Sequence, residues 1–484
     1  MIALLERIAA LAAASSPLDP GPERRAALRE AVERYAERFL SDVADRPAYR
    51  HDAEEGRGIR SVPIGEEPVP AERLMDLLAR HVDGHGANLG SGGYLGFVPA
   101  SSAYPSALAD YLSTATNLYS GSYYGAPGAI RIEHMLLAWM ADFLGYPATS
   151  AGNLTSGGSI ANLSAVVTAR EARGLRAADV QRAVVYLSDQ THHSVTKALR
   201  IAGVGEAVHR RVELDGRWRI VPEALDAAIR RDQAAGLRPW LVVAAAGSTD
   251  AGAVDPMANI AEVAREHGLW LHVDGAYGAT FALCAEGKAI LAGIERADSI
   301  TLDPHKGLFV PCGTGAILVR DGRALRSAFA TDANYLRDLD VLSSQEETSP
   351  SDLSPELTRP FRGLRLWLPL QLAGVAPFRA ALEEKLLLAR YAHERLRSMS
   401  GFVVGPPPDL SIVTFRHEPP RGDANRFNEA LAAAVVADGR IFLTTTTLRG
   451  EVTLRLAILN LRTHRETVDL ALELLERKAR ELSA

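Results

Sequence analysis

Cysteine is scarce in this sequence. Only Cys284 and Cys312 occur among 484 residues, too few for the set of disulfide bridges that holds small secreted domains together. This composition is typical of a reducing compartment, so we expect a cytoplasmic protein. The adjacent histidines His192 and His193 have no third ligand at a zinc-like spacing, which argues against a metal site at this place.

Long apolar segments are also lacking. No run of 18 apolar residues is present, which excludes an ordinary membrane-spanning helix. The first 14 residues are apolar enough to resemble a signal peptide, but Glu6 and Arg7 interrupt them and no basic segment precedes them. The pattern therefore predicts an amphipathic helix at residues 1–14, and we expect no membrane partner.

No large excess of charge of one sign is present. The formal net charge is -6, so the sequence offers no electrostatic case for binding nucleic acid. We find no internal repeat and no long low-complexity segment. What remains is an ordinary globular composition, 47% hydrophobic and 23% charged. The length is enough for about three domain-sized units with large cores.

The pattern of apolar residues divides the chain into three parts. Residues 1–103 are predicted to form a helical arm, rich in Arg, Glu and Ala, with little core of its own. Residues 104–378 alternate strand-like runs with helical periods, which predicts an α/β domain with a mainly parallel central sheet covered by helices. Residues 379–484 are predicted to form a small α+β domain. The expected strands of the large domain are 183–187, 240–244, 270–273, 299–302 and 315–319, and its expected helices are 160–172, 222–235 and 257–266.

One lysine stands in a position that suggests chemistry. The segment Asp303-Pro304-His305-Lys306-Gly307 lies between a β-branched apolar run and a Gly-rich turn. A lysine amine whose pKa is lowered by desolvation or by a neighbouring cation can form a Schiff base with an aldehyde, as in the attachment of pyridoxal phosphate. A solvated loop lysine is the alternative when this segment is taken alone.

A carboxylate precedes this lysine by 32 residues, at the end of another strand-like run. The segment is His272-Val273-Asp274-Gly275-Ala276-Tyr277. Pyridoxal phosphate works as an electron sink only while its ring nitrogen stays protonated, so it needs a carboxylate held against that nitrogen. Asp274 is the candidate, and an acid that caps the turn after a strand is the alternative.

Two further segments supply possible cofactor contacts. His192 follows the strand-like run 183–187, and an imidazole there could lie flat on a pyridine ring; a surface or metal-binding histidine is the alternative. The segment 155–162 has paired glycines and serines where a helix is expected to begin. Backbone N–H groups, hydroxyls and the helix dipole at such a place attract phosphate, although a simple helix start is the more common origin of the pattern. The dinucleotide-binding pattern G-x-G-x-x-G is absent from it.

Taken in order, these segments resemble the group II pyridoxal-phosphate-dependent amino-acid decarboxylases, a family that includes aromatic-L-amino-acid, histidine, glutamate and cysteine-sulfinate decarboxylases. The resemblance extends over about residues 93–462 and implies a fold type I enzyme that binds pyridoxal 5'-phosphate. It implies that Lys306 is the Schiff-base lysine, Asp274 the partner of the pyridine nitrogen and His192 the ring that stacks on the cofactor. Further implied cofactor contacts are Ala276 on the opposite ring face, Thr249 near the cofactor hydroxyl, and Gly158, Ser159, Asp303 and His305 on the phosphate side. Glu133 and the segment 359–363 also match.

The sequence departs from the family at several positions. Counted back from Arg359, the position of the loop tyrosine that protonates the substrate carbon after decarboxylation is Pro350, and Tyr335 is the alternative donor. Ala100, Gly307 and Cys312 replace a hydroxyl-bearing residue and two bulkier aromatic residues of the aromatic-acid decarboxylases. These differences argue against simply copying an aromatic substrate preference.

The activity implied by the resemblance is decarboxylation of an L-amino acid to an amine and carbon dioxide. Because the loop tyrosine is replaced, decarboxylation coupled to oxidative deamination to an aldehyde, or another quinonoid reaction, is the alternative. From a different class, a non-catalytic pyridoxal-phosphate-binding scaffold is a further alternative. The family also implies a homodimer with shared active sites, in which residues 1–103 pack across the partner and about residues 330–351 exclude water.

Overall fold

The computed structural model describes residues 1–52, 54–98, 101–330 and 347–484. Ala100 and Tyr335, and most of the segment expected to exclude water, lie outside these ranges. Among the described helices, none combines the length and apolarity needed to cross a lipid bilayer.

The amino-terminal arm is mainly helical. It contains α1 (Ile2–Ser15), α2 (Pro22–Asp42), β1 (Tyr49–Arg50), α3 (Ala71–His81) and β2 (Gly86–Ala87). The helix predicted at residues 1–14 is confirmed as α1, but this helix has no buried residue. The end of the arm is held by the carboxy-terminal part of the chain: Leu95 is fully buried there, and its N–H donates to the Phe442 carbonyl over 2.8 Å.

A seven-stranded sheet forms the centre of the large domain. Its elements in chain order are α4 (Tyr104–Thr116), α5 (Pro127–Phe143), β3 (Ala151–Thr155), α6 (Gly158–Ala172), β4 (Ala183–Leu187), α7 (His193–Ile201), β5 (Val208–Arg211), α8 (Pro222–Ala234), β6 (Arg238–Ala245), α9 (Met257–Glu266), β7 (Trp270–Asp274), α10 (Ala285–Ile290), β8 (Ser299–Leu302), α11 (Pro304–Gly307), β9 (Gly315–Val319), α12 (Gly322–Phe329) and α13 (Leu364–Ala373). The strand order is β3-β9-β8-β7-β6-β4-β5. Strands β8, β7, β6, β4 and β5 pair in parallel, and β9 is antiparallel to both of its neighbours. The predicted mainly parallel sheet is confirmed.

Helices cover both faces of this sheet, which explains why its central strand β4 is apolar along its whole length. Val184 and Tyr186 of β4 pack in one core cluster with residues of α5, α8 and α9. Val185 and Leu187 of the same strand pack in a second cluster with residues of α6 and α7. Because successive side chains of a strand point to opposite faces, a strand covered on both sides has no polar face.

The carboxy-terminal part is a smaller α+β unit. It contains α14 (Ala376–Arg397), β10 (Phe402–Val404), β11 (Ile412–His417), α15 (Ala424–Asp438), β12 (Thr444–Leu448), β13 (Glu451–Ala457) and α16 (Arg465–Ser483). The four strands form an antiparallel sheet in the order β10-β11-β13-β12. The domain boundary predicted at residues 378 and 379 falls inside α14, which continues from one unit into the other.

A buried ion pair joins α5 to the segment before α13. Arg359 donates to Glu133 over 2.6 Å and to the side-chain oxygen of Asn153 over 2.9 Å. The two ionic side chains are 0% and 1% exposed. Burial raises the pKa of Glu133, and Arg359 opposes this effect. The pair therefore places residue 359 against the edge of the central sheet.

We expect Glu133→Gln to lower the free energy of unfolding by about 3–5 kcal/mol, because it leaves the Arg359 charge buried without a counter-ion. The control is Glu286→Gln, which removes one partner of the exposed Arg390–Glu286 pair and should cost about 0–1 kcal/mol. Denaturant unfolding followed by fluorescence compares the two variants. Equal unfolding midpoints would show that the buried pair contributes no more to stability than the exposed pair.

Candidate cofactor and active site

A cavity of about 320 Å³ lies at the carboxyl ends of the parallel strands. This is where open α/β sheets bind their ligands. All nine residues that the resemblance assigned to the cofactor line this cavity: Gly158, Ser159, His192, Thr249, Asp274, Ala276, Asp303, His305 and Lys306. Their placement together is a finding, whereas the individual roles stay predictions.

Lys306 is the lysine that lines this cavity. The chain has only five lysines, and the other four, Lys197, Lys288, Lys385 and Lys478, do not line this cavity. Lys306 lies in the single turn of α11, directly after β8. Its Nζ is 3.0 Å from Oδ2 of Asp303, and its side chain is 24% exposed. The amine is therefore shielded yet accessible from the cavity.

Asp274 ends β7, and its carboxylate is held by two donors. Oδ2 accepts a hydrogen bond from Nδ2 of Asn162 over 2.9 Å, and Oδ1 accepts one from the Ala276 N–H over 3.2 Å. Both oxygens therefore have a fixed direction before any ligand binds. Such a carboxylate can accept a hydrogen bond from a protonated ring nitrogen without the entropic cost of first fixing its own orientation.

His192 stands at the start of α7. Its Nδ1 is 2.7 Å from Oγ of Ser194 and 3.3 Å from the Ser194 N–H. Burial lowers the pKa of His192, and the carboxylate of Asp274 partly opposes this effect. The imidazole is therefore neutral near pH 7. The neighbouring His193 is exposed and its ring centroid lies 4.1 Å from that of His192.

The Gly-rich turn before α6 closes one end of the cavity. Gly157 has φ 147°, a conformation that side chains rarely adopt. A Cβ atom on Gly158 would lie 2.9 Å from Oδ2 of Asp303 and 3.2 Å from Cβ of Ala276, so the space is free only because this residue is glycine. The N–H groups in the first turn of a helix have no intrahelical acceptor and suit a phosphate.

Asp303 and His305 lie beside this turn. Asp303 is 2% exposed, and its Oδ1 has no hydrogen-bond partner among the described residues. His305 uses Nδ1 to reach the Thr314 carbonyl over 2.7 Å, which leaves its Nε2 3.8 Å from Oδ2 of Asp303. The Asp303 carboxylate therefore faces Lys306 and His305 as well as the phosphate-binding turn.

The residues around the cavity fit pyridoxal phosphate. They offer a lysine for its aldehyde, a carboxylate for its ring nitrogen, an imidazole for its ring face and a glycine turn for its phosphate. Two contacts were missed from the sequence. Asn162 lies one helical turn after Gly158, and Ser194 lies two residues after His192; the sequence carries no signal that these two side chains contact each other.

Three of the departures can be placed in the structure. A Cβ atom on Gly307 would overlap the side chain of Thr280, and Gly307 does not line the cavity. Gly307 is buried, and its small size adds no space to this cavity. Pro350 is buried in the short 3-10 helix Pro350–Leu353 and does not line the cavity either. Cys312 is exposed.

Comparisons with known proteins agree with this site. Residues 93–418 match the model of the pyridoxal-dependent decarboxylase conserved domain. The aromatic-L-amino-acid decarboxylase of Bacillus atrophaeus is 36% identical over 83% of this chain and 84% of its own length. The phenylacetaldehyde synthase of Petunia hybrida is 28% identical, with 82% of each chain covered. The crystal structure of Catharanthus roseus tryptophan decarboxylase in complex with L-tryptophan has a TM-score of 0.87 and 26% identity, over 96% of this chain and 99% of that chain.

Proposed function

Because this chain belongs to the pyridoxal-dependent decarboxylase family, we propose that its substrate is an aromatic L-amino acid and that Lys306, Asp274 and His192 carry the reaction. The family establishes a fold type I enzyme that decarboxylates an amino acid with pyridoxal phosphate. The observation that carries the residue roles is the convergence of the cavity's lysine, the fixed carboxylate and the neutral imidazole in one cavity.

Each residue has a separate task in this proposal. Lys306 would hold the cofactor through its amine, at the place where the substrate amine would also react. Asp274 receives the ring nitrogen, while His192 and Ala276 hold the two ring faces. Bound pyridoxal phosphate accepts the electron pair that is left when the substrate loses carbon dioxide. Asp303, with Oδ2 at 3.0 Å from Nζ of Lys306, would hold this amine by an ion pair before the cofactor is attached.

The substrate class is supported by the relatives. The protein from Bacillus atrophaeus that is 36% identical over most of both chains is an aromatic-L-amino-acid decarboxylase. The solved tryptophan decarboxylase shares the fold over 96% of this chain. An aldehyde product is the second candidate, because the phenylacetaldehyde synthase of Petunia hybrida is among the similar proteins.

We expect an aromatic L-amino acid to have the highest kcat/KM in a panel of L-amino acids, measured as carbon dioxide release. A maximum with glutamate or cysteine sulfinate would contradict the proposed substrate class. Amine, aldehyde and hydrogen peroxide are measured in the same reactions, with and without oxygen. Oxidation to aldehyde consumes one dioxygen and one water and releases ammonia and peroxide, so an oxygen-dependent aldehyde fraction supports the second candidate. Stoichiometric amine without peroxide would contradict the second candidate, an aldehyde product.

We also propose that two copies form a homodimer through the arm and α4. Helix α1 exposes a row of large apolar residues, and α4 exposes four more. A second copy would cover both surfaces, as the family resemblance implies for the arm. The exposed residues are Ile2, Leu4, Leu5, Ile8 and Leu11 on α1, and Tyr104, Leu108, Tyr111 and Leu112 on α4.

We expect Leu108→Glu to convert the protein from twice the chain mass of 52.0 kDa to a single chain, because the charge would be buried at the interface. Leu108 is 42% exposed, and the matched control is Leu482→Glu, at 41%. Light scattering after size exclusion measures the mass. A Leu108→Glu protein that keeps the wild-type dimer mass would exclude α4 from the interface.

A further inference from the structure

A line of buried polar side chains runs from the interior of the sheet to the cavity. Nε1 of Trp270 is 2.8 Å from Oγ of Ser299, which is 2.9 Å from Nδ1 of His272. Nε2 of His272 is 3.0 Å from Oδ1 of Asn162. Trp270, His272 and Ser299 lie on neighbouring strands, β7 and β8, where His272 pairs with Ser299 in register.

Asn162 divides this line into two branches. Its Nδ2 lies 2.9 Å from Oδ2 of Asp274 and 2.9 Å from Oγ of Ser194. Ser194 in turn lies 2.7 Å from Nδ1 of His192. The amide of Asn162 therefore touches, directly or through one hydroxyl, the two side chains proposed to hold the cofactor ring.

The Asp274 end of the line fixes the direction of the hydrogen bonds through Asn162 and His272. The Trp270 indole can only donate, and an ionised Asp274 can only accept. Asn162 therefore donates to Asp274 and turns its Oδ1 to His272, so Nδ1 of His272 accepts from Ser299 and the His272 proton lies on Nε2. That proton goes to Oδ1 of Asn162, so both hydrogens of the Asn162 amide point to Asp274 and Ser194.

The opposite direction creates a conflict at the cavity. If the Asn162 amide were turned over, its Oδ1 would face Oδ2 of Asp274 at 2.9 Å, with two acceptors and no proton between them. Burial lowers the pKa of His272 to about 4, so near pH 7 the imidazole does not carry the second proton that would let both of its nitrogens donate. His272 and Asn162 are each 1% exposed, so bulk water is kept from this position too.

The second branch sets the protonation of His192. Because Ser194 accepts from Asn162, its own hydroxyl hydrogen is free to donate to Nδ1 of His192. The backbone N–H of Ser194 also points to Nδ1, over 3.3 Å. With Nδ1 occupied as an acceptor, the neutral imidazole carries its proton on Nε2.

We propose that Asn162 is a positioning residue that keeps Asp274 ionised and, through Ser194, keeps His192 neutral with its proton on Nε2. The inference rests on the proposed roles of Asp274 and His192. In this proposal the Asp274 carboxylate and the ring nitrogen compete for one proton. The hydrogen bond from Asn162 occupies a lone pair of Oδ2 that a proton would otherwise take, so the shared proton stays on the ring nitrogen.

The test locates that proton directly. The holoenzyme is reconstituted with pyridoxal phosphate carrying 15N in the ring, and the 15N resonance reports whether the nitrogen is protonated. We expect a protonated nitrogen in the wild type at pH 7. In Asn162→Ala we expect the resonance to move toward the unprotonated value, with kcat lower by about tenfold or more and a much smaller change in KM.

Two further variants make the outcome specific. Ser299→Ala leaves the cavity unchanged but removes the hydroxyl that donates to Nδ1 of His272, so the His272–Asn162 hydrogen bond is no longer held in one direction. We expect a smaller shift of the 15N resonance in the same direction. This variant tests the proposal if Asn162→Ala does not fold. Ser164→Ala is the matched control, because Ser164 is buried on the same helix as Asn162 and donates only to the Ile160 carbonyl over 2.9 Å.

The result can be separated from a failure of the proposed function. Reduction with borohydride and peptide mapping first establish whether each variant holds its cofactor on Lys306. Cofactor on another lysine contradicts the proposed function. Cofactor on Lys306 with a 15N resonance that is the same in wild type, Asn162→Ala and Ser299→Ala leaves the proposed function standing and overturns the role of Asn162.

Discussion

Replacing Lys306 with alanine abolishes the covalent attachment of pyridoxal phosphate and lowers turnover by about 10³-fold or more. The reason is that none of the other four lysines lines the cavity, so none can replace its amine. The fold should survive, because the Lys306 side chain is 24% exposed and its ionic partner among the described residues is Asp303.

The visible absorbance of the purified protein and its carbon dioxide release check this prediction. The matched control is Lys197→Ala, which removes an exposed lysine from α7, the helix that begins beside His192. The control should keep both signals. A Lys306→Ala protein with wild-type absorbance and turnover would remove Lys306 from the chemistry.

Asp274→Asn is the second change with a large expected effect. The variant should retain most of the cofactor but lose turnover by about 100-fold or more, because a neutral amide cannot stabilise a protonated ring nitrogen. The amide also meets two donors, from Asn162 and from the Ala276 N–H, with only one oxygen to accept them. One of these hydrogen bonds is therefore lost.

Cofactor content and kcat are measured on the same preparation. Asp250→Asn is the control, since Asp250 is close in sequence to Thr249, does not line the cavity and accepts a hydrogen bond from Thr446 over 2.9 Å. We expect the control to turn over like the wild type. If Asp274→Asn does so as well, the carboxylate is structural and another acid must face the ring nitrogen.

The strands that were predicted from the sequence are those whose composition leaves little choice. β4, β8 and β9 are buried along their whole length, and their residues are apolar or β-branched except Ser299 of β8. β3 and β5 were missed. β3 has the sequence AGNLT, with a glycine and an asparagine, and β5 has the sequence VHRR at the edge of the sheet, where two arginines reach solvent. Neither shows the apolar run that marks a central strand.

The cavity was predictable where residues follow the strands directly. His192, Asp274 and Lys306 come after β4, at the end of β7 and after β8, and the carboxyl ends of parallel strands meet at one edge. The roles of Asn162 and Ser299 were not predictable. Asn162 is 110 residues from His272, and only the packing of α6 against the sheet brings their atoms to 3.0 Å.

The loop tyrosine is the place where counting along the sequence was least informative. The count back from Arg359 crosses a segment without a fixed pattern, and it arrives at a proline that is buried beside the Gly121 carbonyl, which accepts the Ser351 N–H over 3.1 Å. Arg359 itself is fixed by Glu133, but this contact orders only the residues next to it. Product analysis therefore decides between amine and aldehyde.

The site of cofactor attachment tests the central claim most directly. The wild-type holoenzyme is reduced with borohydride and digested, and mass spectrometry then identifies which of the five lysines carries a phosphopyridoxyl group. We expect this group on Lys306 alone, at about one per chain. Finding it on Lys197, Lys288, Lys385 or Lys478, with Lys306 unmodified, would contradict the account.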